Sequence, residues 1–166
     1  ALGPDKTRMD WYGAHLWRDG ALLPSEVAHL AADGYYAKQK FVDRVCDFGL
    51  HLISKLRHDA NLRYLYPGPR QHRRGAPKQY DGKVNLQDLR RLTPIPLSNQ
   101  ITLYTAVVNS VSLKRNIRLV YVCKRHGPKL LTALLFSTDL NLAAEDIYRY
   151  YTARFQIEFL FRDAKQ

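Results

Sequence analysis

Apolar positions along the chain change period several times, and each change marks an element. Residues 9 to 20 are weakly helical, and Leu22-Leu23-Pro24-Ser25 breaks them. Val27-Ala28-His29-Leu30-Ala31-Ala32 is a short, largely apolar run halted by Asp33-Gly34, the pattern of a buried strand followed by a turn. From Tyr36 to Phe48, Phe41, Val45 and Phe48 recur at helical spacing, and Gly49 supplies a C-terminal stop. Leu50-His51-Leu52-Ile53-Ser54-Lys55-Leu56 then alternates as a second strand. Strand, helix, strand is the unit of a parallel α/β sheet.

The stretch from Tyr66 to Tyr80 is rich in Pro and Gly and has no apolar period, so it is expected as an exposed loop. Beyond it, Ile101 to Val108, Asn116 to Cys123 and Lys129 to Phe136 are rich in β-branched and aromatic residues. Short connections near Asn109-Ser110 and at His126-Gly127-Pro128 suit hairpins, so these three runs are expected as an antiparallel meander. From about Leu142 to Gln166 the pattern is helical without a breaker, and Glu145 and Asp146 sit in the first turn, where the helix dipole favours acids. There is no internal repeat.

Composition narrows the class. The chain has 166 residues, 46% of them hydrophobic, enough to bury a core. No run approaches the roughly 20 apolar residues of a membrane helix, and the first residues lack a basic stretch followed by an apolar one, so a non-secreted protein of the cytoplasm is expected. Two cysteines, Cys46 and Cys123, build neither a disulfide framework nor a four-ligand zinc site, and the six histidines lack zinc spacing. Any catalytic metal is therefore expected on carboxylates.

Lys and Arg number 26 against 15 Asp and Glu, a formal charge of +11. Such a surplus suits a polyanionic partner, because neutralised phosphates release condensed counterions, although a basic soluble surface gives the same total. Between Lys55 and Arg91 ten basic residues face three acids, so +7 of the charge is concentrated there. Arg70, Arg73, Arg74 and Lys78 lie on the Pro/Gly loop among Tyr64, Tyr66 and Tyr80, a mixture suited to phosphate contact and base stacking and equally found in a solvated linker.

The last helix carries the sharpest pattern. At about 100° per residue, with Tyr151 as zero, Arg154 falls near about −60°, Glu158 near about −20° and Lys165 near about −40°. These four side chains share one stripe between apolar flanks, Ile157, Leu160 and Ala164 on one side and Tyr148, Phe155 and Phe159 on the other. An ordinary salt-bridged face shows the same Arg154 to Glu158 spacing. A second carboxylate, Asp33, stands where the first strand ends, the edge at which open α/β sheets place their sites, and also where a plain turn aspartate is common. Together Asp33 and Glu158 could hold hard divalent cations, which take oxygen ligands. Two such ions about 4 Å apart serve phosphodiester displacement.

Tyr151-x2-Arg154-x3-Glu158-x6-Lys165 resembles the Tyr-Arg-Glu-Lys signature of bacterial insertion-sequence transposases of family four. Chance gives that spacing with odds on the order of one in a thousand in a chain of this length. Leu30-Ala31-Ala32-Asp33-Gly34-Tyr35-Tyr36 resembles the segment bearing the second Asp of the family's Asp-Asp-Glu triad, and Arg74-Gly75-Ala76-Pro77-Lys78 resembles its basic turn.

The resemblance implies an α/β fold, a partial ribonuclease-H-like core formed by residues 1–62 and 137–166, with a basic loop and β-rich antiparallel insertion over 63–136 before the Glu-bearing helix. It implies Asp33 and Glu158 as catalytic metal ligands for two Mg2+ ions, or Mn2+. Tyr151, Arg154 and Lys165 would grip phosphates of the transposon end. The implied activity is DNA cleavage with water, followed by joining of the 3′ hydroxyl to target DNA, by a homo-oligomer that brings two terminal repeats together at the bacterial nucleoid. No residue before Asp33 matches the first Asp of the triad, since Asp5, Asp10 and Asp19 follow no apolar strand-like run. The chain is therefore expected to be a fragment, inactive alone. The other reading is a non-catalytic basic nucleic-acid-binding module or a decayed transposase remnant.

Overall fold

The first apolar run and the alternating run after it do become two parallel strands joined through a helix. In the computed structural model, which describes residues 6–69 and 75–163 and gives 156–163 as backbone only, β1 is His29–Ala31, α2 is Gln39–Asp47 and β2 is His51–Leu56. His29 pairs with His51 and Ala31 with Ile53 in parallel register. An amphipathic helix, α1 (Arg8–Asp19), precedes them and is tied to α2 through Asp10, whose carboxylate takes the Lys40 ammonium at 2.8 Å.

The meander follows as expected, with longer strands: β6 (Ile101–Ser110), β7 (Arg115–His126) and β8 (Lys129–Ser137), all antiparallel. The β7–β8 turn requires a positive φ at Gly127, +57°, where glycine is unpenalised. These strands are not a separate layer. β8 pairs with β2, Ile53 opposite Ser137, so the meander continues the sheet begun by the parallel pair.

Three strands were not expected. β3 (Leu62–Leu65) and β4 (Tyr80–Lys83) form an antiparallel ribbon that flanks the basic loop, and β5 (Thr93–Pro96) pairs with β6. β5 carries two prolines, which a strand paired on a single side accommodates because its other N–H positions need no partner. The path across the eight-stranded sheet is β1-β2-β8-β7-β6-β3-β4, with β5 beside β6. The fold is mixed α/β with a mostly antiparallel sheet. The first strand, expected as buried, is short and half-buried, because it lies at the sheet edge with a partner on one side only.

Helices cover both faces, which explains why β7 reads as a nearly continuous apolar run. On one face Phe41, Val42 and Val45 of α2 pack against Leu52, Leu119, Leu134 and Phe136, and Arg115 of β7 holds Asp43 at 2.7 Å. On the other, Ala144, Ile147 and Tyr151 of α3 (Ala144–Asp163) pack against Ile53, Leu103, Val120 and Leu135. At about 25 cal/mol per Å2 of apolar surface, each fully buried Leu or Ile here contributes roughly 2 kcal/mol. Among the described residues no helix is long and apolar enough to cross a membrane.

Candidate active site

Asp33 follows β1 and begins a short 3-10 turn, Gly34–Tyr36. Its position is fixed from three directions. Its Oδ1 accepts the Tyr35 N–H at 2.9 Å, and its carbonyl accepts both the Tyr36 N–H and the hydroxyl of Ser54, each at 2.9 Å. Ser54 is fully buried on β2, so the neighbouring strand clamps the Asp33 backbone. Gly34 belongs to the same clamp, because a Cβ there would stand 3.0 Å from the Lys55 carbonyl oxygen.

The second oxygen, Oδ2, faces Arg154 of α3, with Nη2 at 3.3 Å. The Asp33 side chain is 54% exposed, whereas Arg154 is only 15% exposed, seated 4.4 Å above the Phe155 ring. α3 thus delivers a cation to the carboxylate at the end of a strand far from it in sequence. The helix reaches that point because Ala144, Ile147 and Tyr151 anchor its first turns on the sheet. Tyr151 is 5% exposed and turned into this core, its ring edge-on to Phe155 at 5.9 Å.

The remaining expected site residues divide. Glu158 lies in the backbone-only part of α3, and Lys165, Arg70, Arg73 and Arg74 lie outside the described residues. Lys78 is described but is not brought to Asp33. It sits beside β4, at the opposite edge of the sheet from β1, where it pairs with Asp81 at 2.7 Å and covers the Tyr66 ring at 4.7 Å. The tyrosines around the loop are likewise engaged within the chain. Arg63 stacks on Tyr80 at 3.7 Å and Arg91 on Tyr64 at 3.9 Å, so these faces hold guanidinium groups where stacked bases were expected.

Family comparison agrees with the direction of this geometry. A family model described as "Transposase DDE domain" matches residues 13–166. The chain belongs to the transposase DDE domain family. No curated protein and no solved structure matches it. Membership gives this transposase domain the general expectation of phosphodiester chemistry on DNA assisted by divalent metal ions. Among the described residues no cluster of three or more His, Cys, Asp or Glu side chains could hold an ion. Asp33 fits such an ion as one hard oxygen ligand, exposed and fixed in its backbone.

Two groups near the site carry no sequence signal. His29, at the start of β1, bonds Asp139 through Nε2 at 2.9 Å, and its ring stacks on His51 at 5.6 Å. Burial works to raise the Asp139 carboxyl, but the His29 bond, the Asn141 N–H and the nearby imidazoles outweigh it and hold the group below the usual range. Ser54 and Asp139 are ordinary residues in a linear reading; only the sheet register gives them their partners.

Proposed function

We propose that this chain carries part of the catalytic site, two of the three triad carboxylates, of an insertion-sequence transposase of the family-four type, which cuts DNA at transposon ends and joins the freed 3′ hydroxyl to target DNA. The observation that carries the reading is the meeting of Asp33, at the end of β1, with Arg154 of α3, at 3.3 Å. Both belong to the segments that resemble the family's motifs, and nothing local in sequence would bring them together. Position 158 lies one helical turn beyond 154, about 6 Å along the axis of α3.

Asp33 and Glu158 are the proposed catalytic ligands for Mg2+, or Mn2+, in a two-ion arrangement. When bound, such ions activate the attacking oxygen and stabilise the leaving one. The chain's own residues set the stage. Ser54 and the Gly34–Tyr36 turn hold the Asp33 carboxylate in place before any ligand arrives, which removes a reorganisation cost. Arg154 neutralises that carboxylate in the free protein and turns its guanidinium to a DNA phosphate in the complex. Tyr151, expected from the resemblance to grip a phosphate, is buried and seats the helix instead, Lys165 extends the phosphate contact, and Arg70, Arg73, Arg74 and Lys78 add further DNA contacts. The parallel pair bridged by α2, with α3 across the opposite face, supports a partial ribonuclease-H-like core of residues 1–62 and 137–166. Residues 63–136 then form a basic loop and β insertion whose strands extend the core sheet. Synapsis of two transposon ends by a homo-oligomer belongs to the same reading.

The test is Glu158→Gln in the intact transposase. Strand transfer should be lost while DNA affinity stays within about twofold, because the amide keeps shape and removes the anionic ligand. Retained strand transfer would overturn the catalytic assignment and leave a binding module.

A further inference from the structure

The hairpin between β7 and β8 outruns the sheet that carries it. β6 begins at Ile101, opposite Lys124, and β2 ends at Leu56, opposite Leu134, so the segment from Lys124 to Leu131 continues as a two-stranded ribbon beyond its neighbours. One last bond, from the Arg125 N–H to the Gln100 carbonyl at 2.8 Å, anchors its base. Its strands stay paired to the end, Lys124 with Leu131 and His126 with Lys129, and Gly127 and Pro128 close the turn. From Leu134 to Lys129 the ribbon rises about 17 Å, at about 3.4 Å per residue. β1 and β2 run parallel toward the same end, so Asp33, which follows β1, lies at the end of the sheet from which the ribbon projects.

Every residue of the ribbon is exposed. Lys124, Arg125 and Lys129 give it three fixed positive charges, and it contains no acid. Exposed cations elsewhere are neutralised within the chain, Arg57 by Asp59, Arg90 by Asp88 and Lys78 by Asp81. Among the described residues no carboxylate pairs with the three on the ribbon. Leu130 and Leu131 are 59% and 51% exposed, and as consecutive strand residues they point to opposite faces. The cations call for a polyanion and the leucines for an apolar surface on each face. A second copy of the chain is a poor occupant, since like ribbons repel and the whole chain carries +11. Duplex DNA supplies both surfaces. The major groove, about 12 Å wide, admits a ribbon without deformation but leaves one leucine facing water. The minor groove is only about 6 Å wide, so two strands about 4.8 Å apart enter it only by prising it open. Both faces then lie against groove walls, and apolar side chains wedged between base steps kink the helix.

We propose that residues 124–131 form a DNA-bending arm, which enters the minor groove of a duplex with Pro128, Leu130 and Leu131 as its wedge and Lys124, Arg125 and Lys129 on the flanking phosphates. Its reach of about 17 Å corresponds to about five base pairs at about 3.4 Å each, so the kink falls on DNA beside the reacting phosphate and not at it. The proposal rests on the transposase reading for the identity of the polymer. It requires no metal, so it can fail while the assignment of Asp33 and Glu158 stands.

The experiment titrates the protein, in EDTA, into a duplex of about 20 base pairs that carries a fluorescence donor at one end and an acceptor at the other. Saturating wild-type protein should raise energy transfer, because a kink of about 20 to 90° shortens the distance between the ends. Leu130→Ser/Leu131→Ser should return transfer to the value of the free duplex while affinity stays within about threefold. Lys124→Ala/Arg125→Ala/Lys129→Ala should bind about thirtyfold more weakly, and the salt dependence of its log affinity should be shallower by about 2.7, at about 0.9 per phosphate on a duplex. All five positions are exposed, and circular dichroism confirms that both variants fold. Unchanged transfer with saturating wild-type protein, a leucine variant that bends the duplex as wild type does, or a lysine and arginine variant with an unaltered salt slope would overturn the proposal. So would a dimer in sedimentation that the leucine variant dissolves while bending persists, which would give the ribbon to self-association. Failure of wild-type protein to bind the duplex at all would overturn the arm and the DNA reading together, whereas the other contrary results strike the arm alone.

Discussion

Two aspartates flank the three-residue strand β1, and their surroundings are opposite in kind. Asp139 reaches the start of the strand through His29, is 21% exposed, and has both oxygens committed, Oδ2 to the imidazole at 2.9 Å and Oδ1 to the Asn141 N–H at 3.0 Å. Asp33 follows the strand's other end, is 54% exposed, and spends one oxygen on a backbone N–H while the other meets Arg154 at the looser distance of 3.3 Å. A half-buried carboxylate with short bonds on both oxygens stabilises the fold and has little left to offer a ligand. An exposed one held by its backbone, with its second oxygen in only a 3.3 Å contact, has more left to offer a ligand. On the proposed reading, the difference separates a structural acid from a functional one at the two ends of a single strand.

The largest expected effect comes from removing the available carboxylate. Asp33→Asn should reduce Mg2+-dependent DNA cleavage by the intact transposase about a thousandfold or more, the several kcal/mol expected of a lost metal ligand. Its melting temperature should stay within about two degrees, because the side chain is half exposed and the amide oxygen can still accept the Tyr35 N–H. Plasmid nicking and a thermal melt check both halves. A large drop in melting temperature would make Asp33 structural and erase the contrast.

Asp139→Asn should do the reverse. Loss of the charge-assisted bond to His29 should cost about 1 to 2 kcal/mol in urea unfolding, with Mn2+ binding unchanged. Its pH dependence sharpens the comparison. The folded-state carboxyl is held below its ordinary value, so the unfolded chain binds more protons and stability rises with pH through that range. The contribution is fully present above the unfolded value of about 3.9 and is lost as the pH falls through the lower folded value. The stability gap between wild type and Asp139→Asn should therefore be constant from about pH 5 to 7 and narrow below about pH 4. A gap that widens in acid would contradict the assignment.

The smallest effect is expected at a third aspartate that lies in neither class. Asp88 is held at about 2 by the Arg90 guanidinium and N–H, yet its partner Arg90 is exposed and the pair lies at the surface. Asp88→Asn should leave the urea midpoint unchanged within error, which shows that a depressed carboxyl does not by itself mark a structural or functional acid.

Much of this architecture could be read from residue order. The parallel pair, the meander and the long helix follow from apolar period, and so does the placement of Asp33 after a strand. The ribbon β3–β4 was hidden because its strands, Leu62–Leu65 and Tyr80–Lys83, are short and carry Arg, Asp and Gly, whose local preferences favour loops. β5 was hidden by two prolines that only a strand paired on one side tolerates. Spacing put Arg154 on one stripe of its helix with Tyr151 and Glu158, but which carboxylate it meets depends on how α3 crosses the sheet, a tertiary property. Base stacking on Tyr64 and Tyr80 was a fair reading of composition. It did not anticipate that Arg63 and Arg91, brought close by pairing of distant segments, already occupy those rings.

Iron-directed cleavage tests the central assignment most directly. Fe2+ in place of Mg2+, with ascorbate and peroxide, generates radicals at the bound ion that cut the main chain beside its ligands. The expected result is cuts at residues 33 and 158, suppressed by excess Mg2+ and absent from Asp33→Asn. A cleavage pattern without a cut at residue 33, or one that persists unchanged in Asp33→Asn, would contradict it.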